Sequence, residues 1–367
     1  MIIILDAMGG DNAPLEVIKG AAMAAAEYDV RLRLVGPTDV IKQCAEENGI
    51  LLDTSKIEIV DAPDVITMED PPLSVRRKKN SSMTVSLNLL AGGGGDAVVS
   101  AGNTGALYAG ASLIVMRIKG YRKAAIATVF PFKNPTLLLD SGANTVVTPE
   151  NLCQFALMGS VYMEKVMEID RPRVGLLNNG TEANKGTELL VETNALLSRY
   201  DRINYVGNVE AKAAPFGACD VLVTDGFTGN IFLKLTEGLG EMLLKRIKAI
   251  YKKNFLSMLS AAIIKKDFKA LKKEFDASEY GGAPILGISK PVIKTHGSSD
   301  ALEVKNAVRQ AINYIKSGVT LELAEAVGAA IPSIEVVHEP EEIVPVIEYA
   351  DDLPSEDADD SGNEQPS

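Results

Sequence analysis

Residues 2–14 read IIILDAMGGDNAP, and this stretch decides the fold class because an apolar strand runs directly into a short polar loop. The run Ile2–Asp6 has the β-branched composition of a buried strand. Pro14 suits the first turn of a helix. A strand, a glycine-rich loop and a helix in this order make the first unit of an α/β fold, so we predict a parallel sheet with a helix over residues 14–28.

Four further junctions repeat this order of apolar strand, polar loop and predicted helix. They are residues 97–100 into 101–105, 174–177 into 178–181, 221–224 into 225–230, and 292–294 into 295–299. Backbone N–H groups at a helix start favour an anion, and the helix dipole adds to that preference. Ligands of parallel α/β sheets bind at the carboxyl ends of the strands. The five junctions together indicate a protein built around an anionic ligand.

The rest of the sequence alternates strands with helices, which predicts an α/β fold: a three-layer, mostly parallel sheet with flanking helices. The other predicted strands are residues 33–35, 57–60, 125–129, 136–139 and 204–206. Helices are predicted over residues 40–48, 82–91, 149–166, 187–198 and 301–317. The length of 367 residues allows one large unit or two lobes.

Composition excludes several classes of protein. The three cysteines, Cys44, Cys153 and Cys219, are far apart, which suits a reducing compartment and argues against a disulfide framework or a zinc site. The N-terminus lacks the basic and apolar regions of a signal peptide, and no run is long enough to span a membrane. We therefore expect a cytoplasmic protein.

The net charge of −12 is unevenly distributed along the chain. Residues 335–367 carry 12 acidic side chains and no lysine or arginine. The last part, residues 351–367, has the composition of a disordered, solubilising acidic tail. The overall acidity argues against a nucleic-acid partner.

The segment Lys245–Lys273, called the basic segment below, departs from this acidity with ten basic residues and one acid. Its apolar side chains recur at every fourth position, as in an amphipathic helical pair that lies on an anionic membrane surface. An equally acceptable interpretation is a helix pair that packs on the body or on a second subunit. The predicted membrane contacts are Phe255, Leu259, Ile263, Lys265 and Lys266.

The sequence lacks the usual motifs of nucleotide binding and of covalent catalysis. A Walker loop, a Gly-x-Gly-x-x-Gly after a strand and a Gly-x-Ser-x-Gly elbow are all missing. The histidines are His296 and His338, and no serine is marked as a triad partner of the first. We expect no metal and no cofactor.

The candidate site residues are the polar side chains of these junctions. Lys185 lies among small polar residues just after a strand, although a solvated loop lysine is the ordinary alternative. Asn230 precedes an apolar run and suits either a helix cap or a ligand contact. Ser299 or Asp300 has the same two interpretations. The remaining candidates are Asn103, Thr104, Asp225, Thr228, His296 and Ser298.

Six motifs in a consistent order resemble the bacterial phosphate acyltransferase family over about residues 1–335. The motifs are residues 6–14, 76–83, 100–106, 178–186, 224–230 and 294–299. The resemblance implies a two-lobed fold around a cleft, similar to phosphotransacetylases and to isocitrate- and isopropylmalate-type dehydrogenases. The implied lobes are residues 1–140 with 300–335, and residues 141–299.

The resemblance also implies the chemistry: an acyl group moves from acyl-(acyl carrier protein) to inorganic phosphate, giving acyl phosphate for phospholipid synthesis. It implies a homodimer that touches an anionic membrane or a downstream membrane acyltransferase. We assign phosphate to Asn103, Thr104 and Ser298. Lys185 and Asn230 are expected to stabilise developing negative charge, and His296 to protonate the thiolate or orient its neighbours.

Further substrate contacts and a docking surface complete the predicted site. The additional contacts are Gly105, Asn184, Asp225, Thr228, Gly229 and Ser299. The acyl carrier protein is acidic, so we expect it to dock on the basic run Arg76, Arg77, Lys78 and Lys79.

Three other functions remain open from the sequence. A phosphotransacetylase that uses coenzyme A is the nearest enzyme. A decarboxylating dehydrogenase shares the implied fold but requires a metal cluster and a nicotinamide site, neither of which is recognisable. A non-enzymatic membrane-surface scaffold explains the basic segment alone and leaves the five polar junctions unexplained.

Overall fold

A computed structural model of the chain describes residues 1–132, 134–253 and 280–327, all within one compact unit spanning Met1–Pro332. In this part of the chain, eleven strands form a single sheet in the order β3-β2-β1-β4-β11-β10-β5-β6-β9-β7-β8. The strands are β1 Ile2–Asp6, β2 Arg31–Gly36, β3 Ile57–Asp61, β4 Ala97–Ser100, β5 Ala125–Phe130, β6 Thr136–Leu139, β7 Arg173–Asn178, β8 Asn204–Glu210, β9 Val221–Val223, β10 Ala283–Leu286 and β11 Val292–Lys294.

Most neighbouring strands are parallel, which confirms the predicted class, but the centre of the sheet is antiparallel. Strand β10 runs antiparallel to both β11 and β5, and β5 runs antiparallel to β6. The strands of the β1 half therefore point one way, and β6, β9, β7 and β8 point the other way. The register is set by the pairs Lys294–Ala283, Ile285–Ile126 and Leu139–Ala127. As a result, the oppositely directed ends of β11 and β6 lie at nearly the same level of the sheet.

The helices cover the sheet and begin where sequence signals place them. Thr148 caps the longest buried helix through a reciprocal pair of hydrogen bonds with Asn151, and Ser81 caps the helix that begins at Ser82. Numbered over the described residues, the helices are α1 Leu15–Glu27, α2 Thr38–Glu47, α3 Ser74–Arg77, α4 Ser82–Ala91, α5 Thr104–Gly110, α6 Pro149–Lys165, α7 Glu188–Leu197, α8 Gly226–Tyr251, α9 Ala301–Lys316 and α10 Val319–Ala326.

Apolar side chains fill both faces of the sheet. One face packs α1, α6 and α9 around the fully buried rings of Phe155, Tyr162 and Tyr314. The opposite face of the β1 half packs α4 and α5. Helix α8 differs, because Gly226 and Gly229 are its only buried residues. From Asn230 onwards this helix is partly exposed, and one of its sides is available to a ligand.

Several sequence expectations fall outside the described residues. These are the membrane contacts Phe255, Leu259, Ile263, Lys265 and Lys266, and the acidic tail 351–367. Residues 245–253 of the basic segment are described, and residues 245–251 are the last portion of α8. No helix in the described ranges is both long and apolar enough to cross a bilayer.

Candidate functional site

A cavity of about 760 Å³ lies where the carboxyl ends of β11 and β6 face α8. Its polar end is formed by the loop after β11, by the first loop of the chain and by Thr104. Its apolar end is formed by β5 and α8. A volume of this size is typical of sites for small organic ligands. Of the predicted site residues, the cavity is lined by Thr104, Asn230, His296 and Ser299.

Lys294, the last residue of β11, is the central charge of the polar end. Its side chain is 9% exposed, and its ammonium donates hydrogen bonds to the carbonyls of Ala101, at 3.2 Å, and Thr295. Burial lowers its pKa to about 8, and the carboxylates of Asp6 and Asp11 oppose that shift. A buried cation that hydrogen-bonds to carbonyls but to no carboxylate among the described residues retains attraction for a bound anion.

Two hydroxyl groups in the loop that follows Lys294 are buried without a hydrogen-bond partner among the described residues. They are Thr295 Oγ1 and Ser299 Oγ, and each residue is 4% exposed. Both residues line the cavity. A buried hydroxyl without a partner costs free energy, so a ligand that accepts their hydrogen bonds is favoured. A tetrahedral anion with several acceptor oxygens provides these bonds.

The loop that carries these hydroxyls is held against the first loop of the chain. The backbone N–H of Asp11 donates to the carbonyl of Gly297 at 2.7 Å. The Asn12 amide donates to the carbonyl of Ser298 at 2.9 Å. The first and last of the five sequence junctions therefore form one preorganised wall of the cavity.

His296 and Lys234 meet at the mouth of the polar end. The backbone N–H of Ser298 donates to His296 Nδ1 at 3.3 Å, and the Ser298 hydroxyl lies 2.8 Å from the same nitrogen. A neutral ring held in this way carries its proton on Nε2. That N–H and the Lys234 ammonium, 3.4 Å apart, are then two donors side by side. An anionic oxygen between them accepts from both.

Asn230 lies one turn before Lys234 on the same side of α8. Its amide has no hydrogen-bond partner in the part of the chain that the structure describes, and it lines the cavity opposite the loop after β6. Gly142 of this loop lies next to the amide: a Cβ at that position would be in ordinary van der Waals contact with Asn230 Oδ1, at 3.5 Å. The amide is therefore available to a substrate group.

Other predicted residues are engaged in holding the loops. The Asn103 amide donates to the carbonyls of Thr67, Met68 and Asp70, and its oxygen caps α5 by accepting from Ala106. To bind phosphate, the Asn103 side chain would have to give up some of these four hydrogen bonds. Gly105 packs against Pro72.

The start of α8 is built in the same way. The Asp225 carboxylate caps the helix, accepting from the backbone of Phe227 and Thr228 at 2.9 Å each, and from the Thr228 hydroxyl at 2.6 Å. Gly229 lies against the carbonyl of Asp140, where there is no room for a Cβ. The alternative that Asn230 caps this helix is therefore wrong. Similarly, Asp300 rather than Ser299 caps α9.

Lys185 and Asn184 are exposed on the loop after β7, outside the lining of the cavity. The Asn178 amide holds this loop through the carbonyl of Lys185, at 3.0 Å. The Lys185 ammonium makes no contact with the polar end within the described residues. Its catalytic role stays a prediction.

The predicted carrier-docking run lies on α3 and the following residues. Arg76, Arg77 and Lys79 are exposed. Lys78 differs, because it forms an ion pair with Asp70 at 2.6 Å and donates to the carbonyl of Val65 at 3.0 Å. The free positive charge of this surface therefore comes from the other three residues.

The lining residues that were not predicted include Lys294, Thr295 and Lys234. The sequence does carry a signal for each. Lys294 is a charge at the end of a buried strand, and Thr295 follows it in the polar loop. Lys234 lies four residues after Asn230, which places both on one side of a helix.

The α/β fold is similar to that of phosphotransacetylases. The EutD phosphotransacetylase from Staphylococcus aureus aligns over 89% of this chain and 94% of its own, with a TM-score of 0.57 and 17% identity. A phosphotransacetylase from Streptococcus pyogenes aligns over 90% and 94%, with a TM-score of 0.56 and 17% identity. At this identity the likeness shows the fold alone.

Sequence relatives are much closer. A family profile described as "Fatty acid synthesis protein" matches residues 1–322. A phosphate acyltransferase of Alkaliphilus oremlandii is 44% identical over 333 residues, which is 90% of this chain and 98% of the relative. One of Thermoanaerobacter pseudethanolicus is 43% identical over 330 residues, covering 89% and 97%. The chain belongs to this phosphate acyltransferase family, which confirms the resemblance and the expectation of an acyltransferase enzyme.

Proposed function

We propose that this protein transfers a fatty acyl group from acyl-(acyl carrier protein) to inorganic phosphate and releases acyl phosphate for phospholipid synthesis. One observation carries the proposal: the buried ammonium of Lys294 and two buried hydroxyls without partners among the described residues line one end of a cavity whose other end is apolar. The polar end suits phosphate, and the apolar end suits an acyl group.

The reaction proceeds by direct attack of phosphate. Lys294, Thr295 and Ser299 hold the phosphate, which is already ionised and needs no covalent nucleophile from the protein. Positioning at the thioester carbonyl supplies much of the rate. A phosphate oxygen forms the new bond to the carbonyl carbon, the C–S bond breaks, and the sulfur leaves as a thiolate.

The remaining groups act on the charge that develops. Asn230 donates to the carbonyl oxygen as it becomes negative. Lys185 joins it if the loop after β7 reaches the substrate. His296 donates a hydrogen bond from Nε2–H to the leaving thiolate, Lys234 stabilises the same region, and the thiolate takes its proton from solvent. Thr104 completes the polar end.

Phosphate binding is expected to weaken as pH rises through about 8, the pKa to which burial brings Lys294. A lowered lysine pKa means that the ammonium is charged below this pH and neutral above it. Asp6, Asp11 and Lys234 are the other charged groups that act on it. Rising pH makes phosphate itself more negative, so a rising KM for phosphate reports the protein. We expect Lys294→Arg, which stays charged, to lose this inflection. An identical pH profile in both proteins contradicts the assignment.

The acyl carrier protein is proposed to dock on Arg76, Arg77 and Lys79. Reversing the charge with Arg77→Glu is expected to raise the KM for the acyl carrier protein about tenfold at low salt and to flatten its salt dependence. Arg31→Glu is the matched control, because Arg31 is also exposed but lies at the amino end of β2, outside the basic run. Equal effects of the two variants, or none, argue against docking at this surface.

The nearest alternative is transfer from acyl-coenzyme A, and a direct comparison separates the two. Purified protein is incubated with phosphate and either hexadecanoyl-(acyl carrier protein) or hexadecanoyl-coenzyme A. Acyl phosphate is trapped with hydroxylamine. The proposal expects the carrier-bound thioester to be the better substrate. A preference for coenzyme A supports the phosphotransacetylase alternative, and no acyl phosphate from either supports the scaffold.

Assembly and location complete the proposal. We infer two lobes around the cavity, as phosphotransacetylases suggest, and a homodimer in the cytoplasm that touches an anionic membrane. Support for the homodimer comes from an apolar stripe on the outer side of α8, whose members are 40–63% exposed: Phe227, Ile231, Leu235, Leu239, Met242, Leu243 and Ile250. The membrane contact rests on the composition of the basic segment.

A further inference from the structure

We propose that the apolar end of the cavity, between β5 and α8, holds the acyl chain, and that Gly240 sets how long a chain it accepts. This inference rests on the proposed acyl transfer and adds a specificity-determining position to it. Gly240 belongs neither to the polar junctions nor to the proposed phosphate site.

On the sheet side, the wall is a row of apolar residues at the end of β5, beyond the residues that pair with β10. Val129, Phe130, Pro131 and Phe132 line the cavity there. The rings of Phe130 and Phe132 stack at 4.9 Å, and Phe232 of α8 meets Phe130 edge-on at 5.6 Å. Aromatic packing of this kind makes a rigid apolar floor. It leads away from Lys294 and the polar end.

The facing wall is one side of α8. Leu233, Gly240 and Leu244 recur at helical spacing and line the cavity, on the side opposite to the exposed stripe. Glu237 and Glu241 lie at the same level, but their carboxylates pair with Lys234 at 2.8 Å and Lys245 at 2.5 Å. The charges of this wall are thus engaged at the solvent edge, and the apolar residues are left to contact a chain.

Gly240 is the gap in this wall. A Cβ built at this position meets no atom of the described residues within 4 Å, although the residue lines the cavity. A larger side chain therefore extends into the space that we assign to the acyl chain, without a clash against residues that the structure describes. Gly238, on the same helix, likewise has no atom within 4 Å of its Cβ position in the described ranges, but it is not among the lining residues. It provides a control in which the gain in helix propensity is the same.

The test is a graded series, Gly240→Ala, Gly240→Val and Gly240→Phe, with Gly238→Phe as the control. The quantity measured is the ratio of kcat/KM for hexadecanoyl- and octanoyl-(acyl carrier protein). We expect the ratio to fall as side-chain volume rises, by about tenfold or more in Gly240→Phe, while octanoyl transfer stays within about twofold of wild type. Gly238→Phe is expected to keep the wild-type ratio.

Each other outcome has a definite meaning. A ratio that is constant across the series, or parallel losses for both chains, overturns the inference, because a merely structural role does not discriminate by length. The Ala and Val variants decide this even if Gly240→Phe fails to fold. Failure of the proposed function is a separate result: in that case wild-type protein makes no acyl phosphate from either substrate.

Discussion

Lys294→Met is expected to reduce kcat/KM for phosphate by about 10²–10³-fold, the loss typical of removing one preorganised charge-stabilising donor. The reason is its position: the ammonium is buried, bonded only to carbonyls among the described residues, and lines the same cavity as the hydroxyls of Thr295 and Ser299. Methionine retains the length and most of the packing of the side chain. Since a buried charge stabilises a fold weakly, we expect little change in thermal stability.

The matched control for this variant is Lys290→Met. Lys290 is partly buried and donates a hydrogen bond to the carbonyl of Leu90 at 2.7 Å. Its replacement by methionine therefore also removes a hydrogen bond between a lysine and a backbone carbonyl. It lies outside the cavity lining and is expected to retain wild-type turnover. Near-native kcat/KM in folded Lys294→Met protein would falsify the assignment of phosphate to this end of the cavity.

Asn230→Ala is expected to lower kcat by about 10²–10³-fold with little change in the KM for phosphate. The amide lies across the cavity from Lys294, beside Gly142, and acts on the carbonyl oxygen only as its charge develops. An interaction made only in the transition state appears in kcat. Asn88→Ala, an exposed asparagine within α4, controls for the loss of an amide from a helix.

Lys294→Met is thus expected to lower kcat/KM for phosphate, whereas Asn230→Ala is expected to lower kcat with little change in the KM for phosphate. A rise in the KM for phosphate without a change in kcat in Asn230→Ala assigns the amide to phosphate binding instead. Lys185→Ala, measured in parallel, shows whether the loop after β7 contributes. A loss as large as that of Asn230→Ala places Lys185 in the same task, and full activity removes it from the mechanism.

Much of the fold follows from local signals. Helix α4 begins at Ser82 and ends at Ala91 as predicted, because Ser81 caps it and the glycines that follow stop it. The buried strands β4 and β6 likewise have the predicted bounds, since short apolar runs between polar loops have few alternatives.

The central strands were harder to predict. Strand β10, Ala283–Leu286, follows two glycines and contains a proline, so its sequence lacks a strand pattern. It is held by pairing with β11 on one side and β5 on the other. These pairings join distant parts of the chain. Their register places the oppositely directed ends of β11 and β6 at nearly the same level of the sheet. No local signal encodes such a register.

The functional site, like the fold, was predicted only in part by local signals. Polar loops after strands predicted Thr104, Asn230, His296 and Ser299, all of which line the cavity. The same pattern also selected Asn103 and Asp225, whose side chains cap helices, because a cap and a ligand contact use the same residue types. Lys294 was missed because a lysine at the end of a strand is usually solvated, and only the tertiary structure buries it.

The most direct test of the central claim is the release of thiol from acyl-(acyl carrier protein) in a single turnover, with and without phosphate. Direct attack by a phosphate held at Lys294 predicts no burst of thiol without phosphate. With phosphate present, it predicts thiol and acyl phosphate in equal amounts. A stoichiometric burst of thiol in the absence of phosphate, or free fatty acid in place of acyl phosphate, contradicts it.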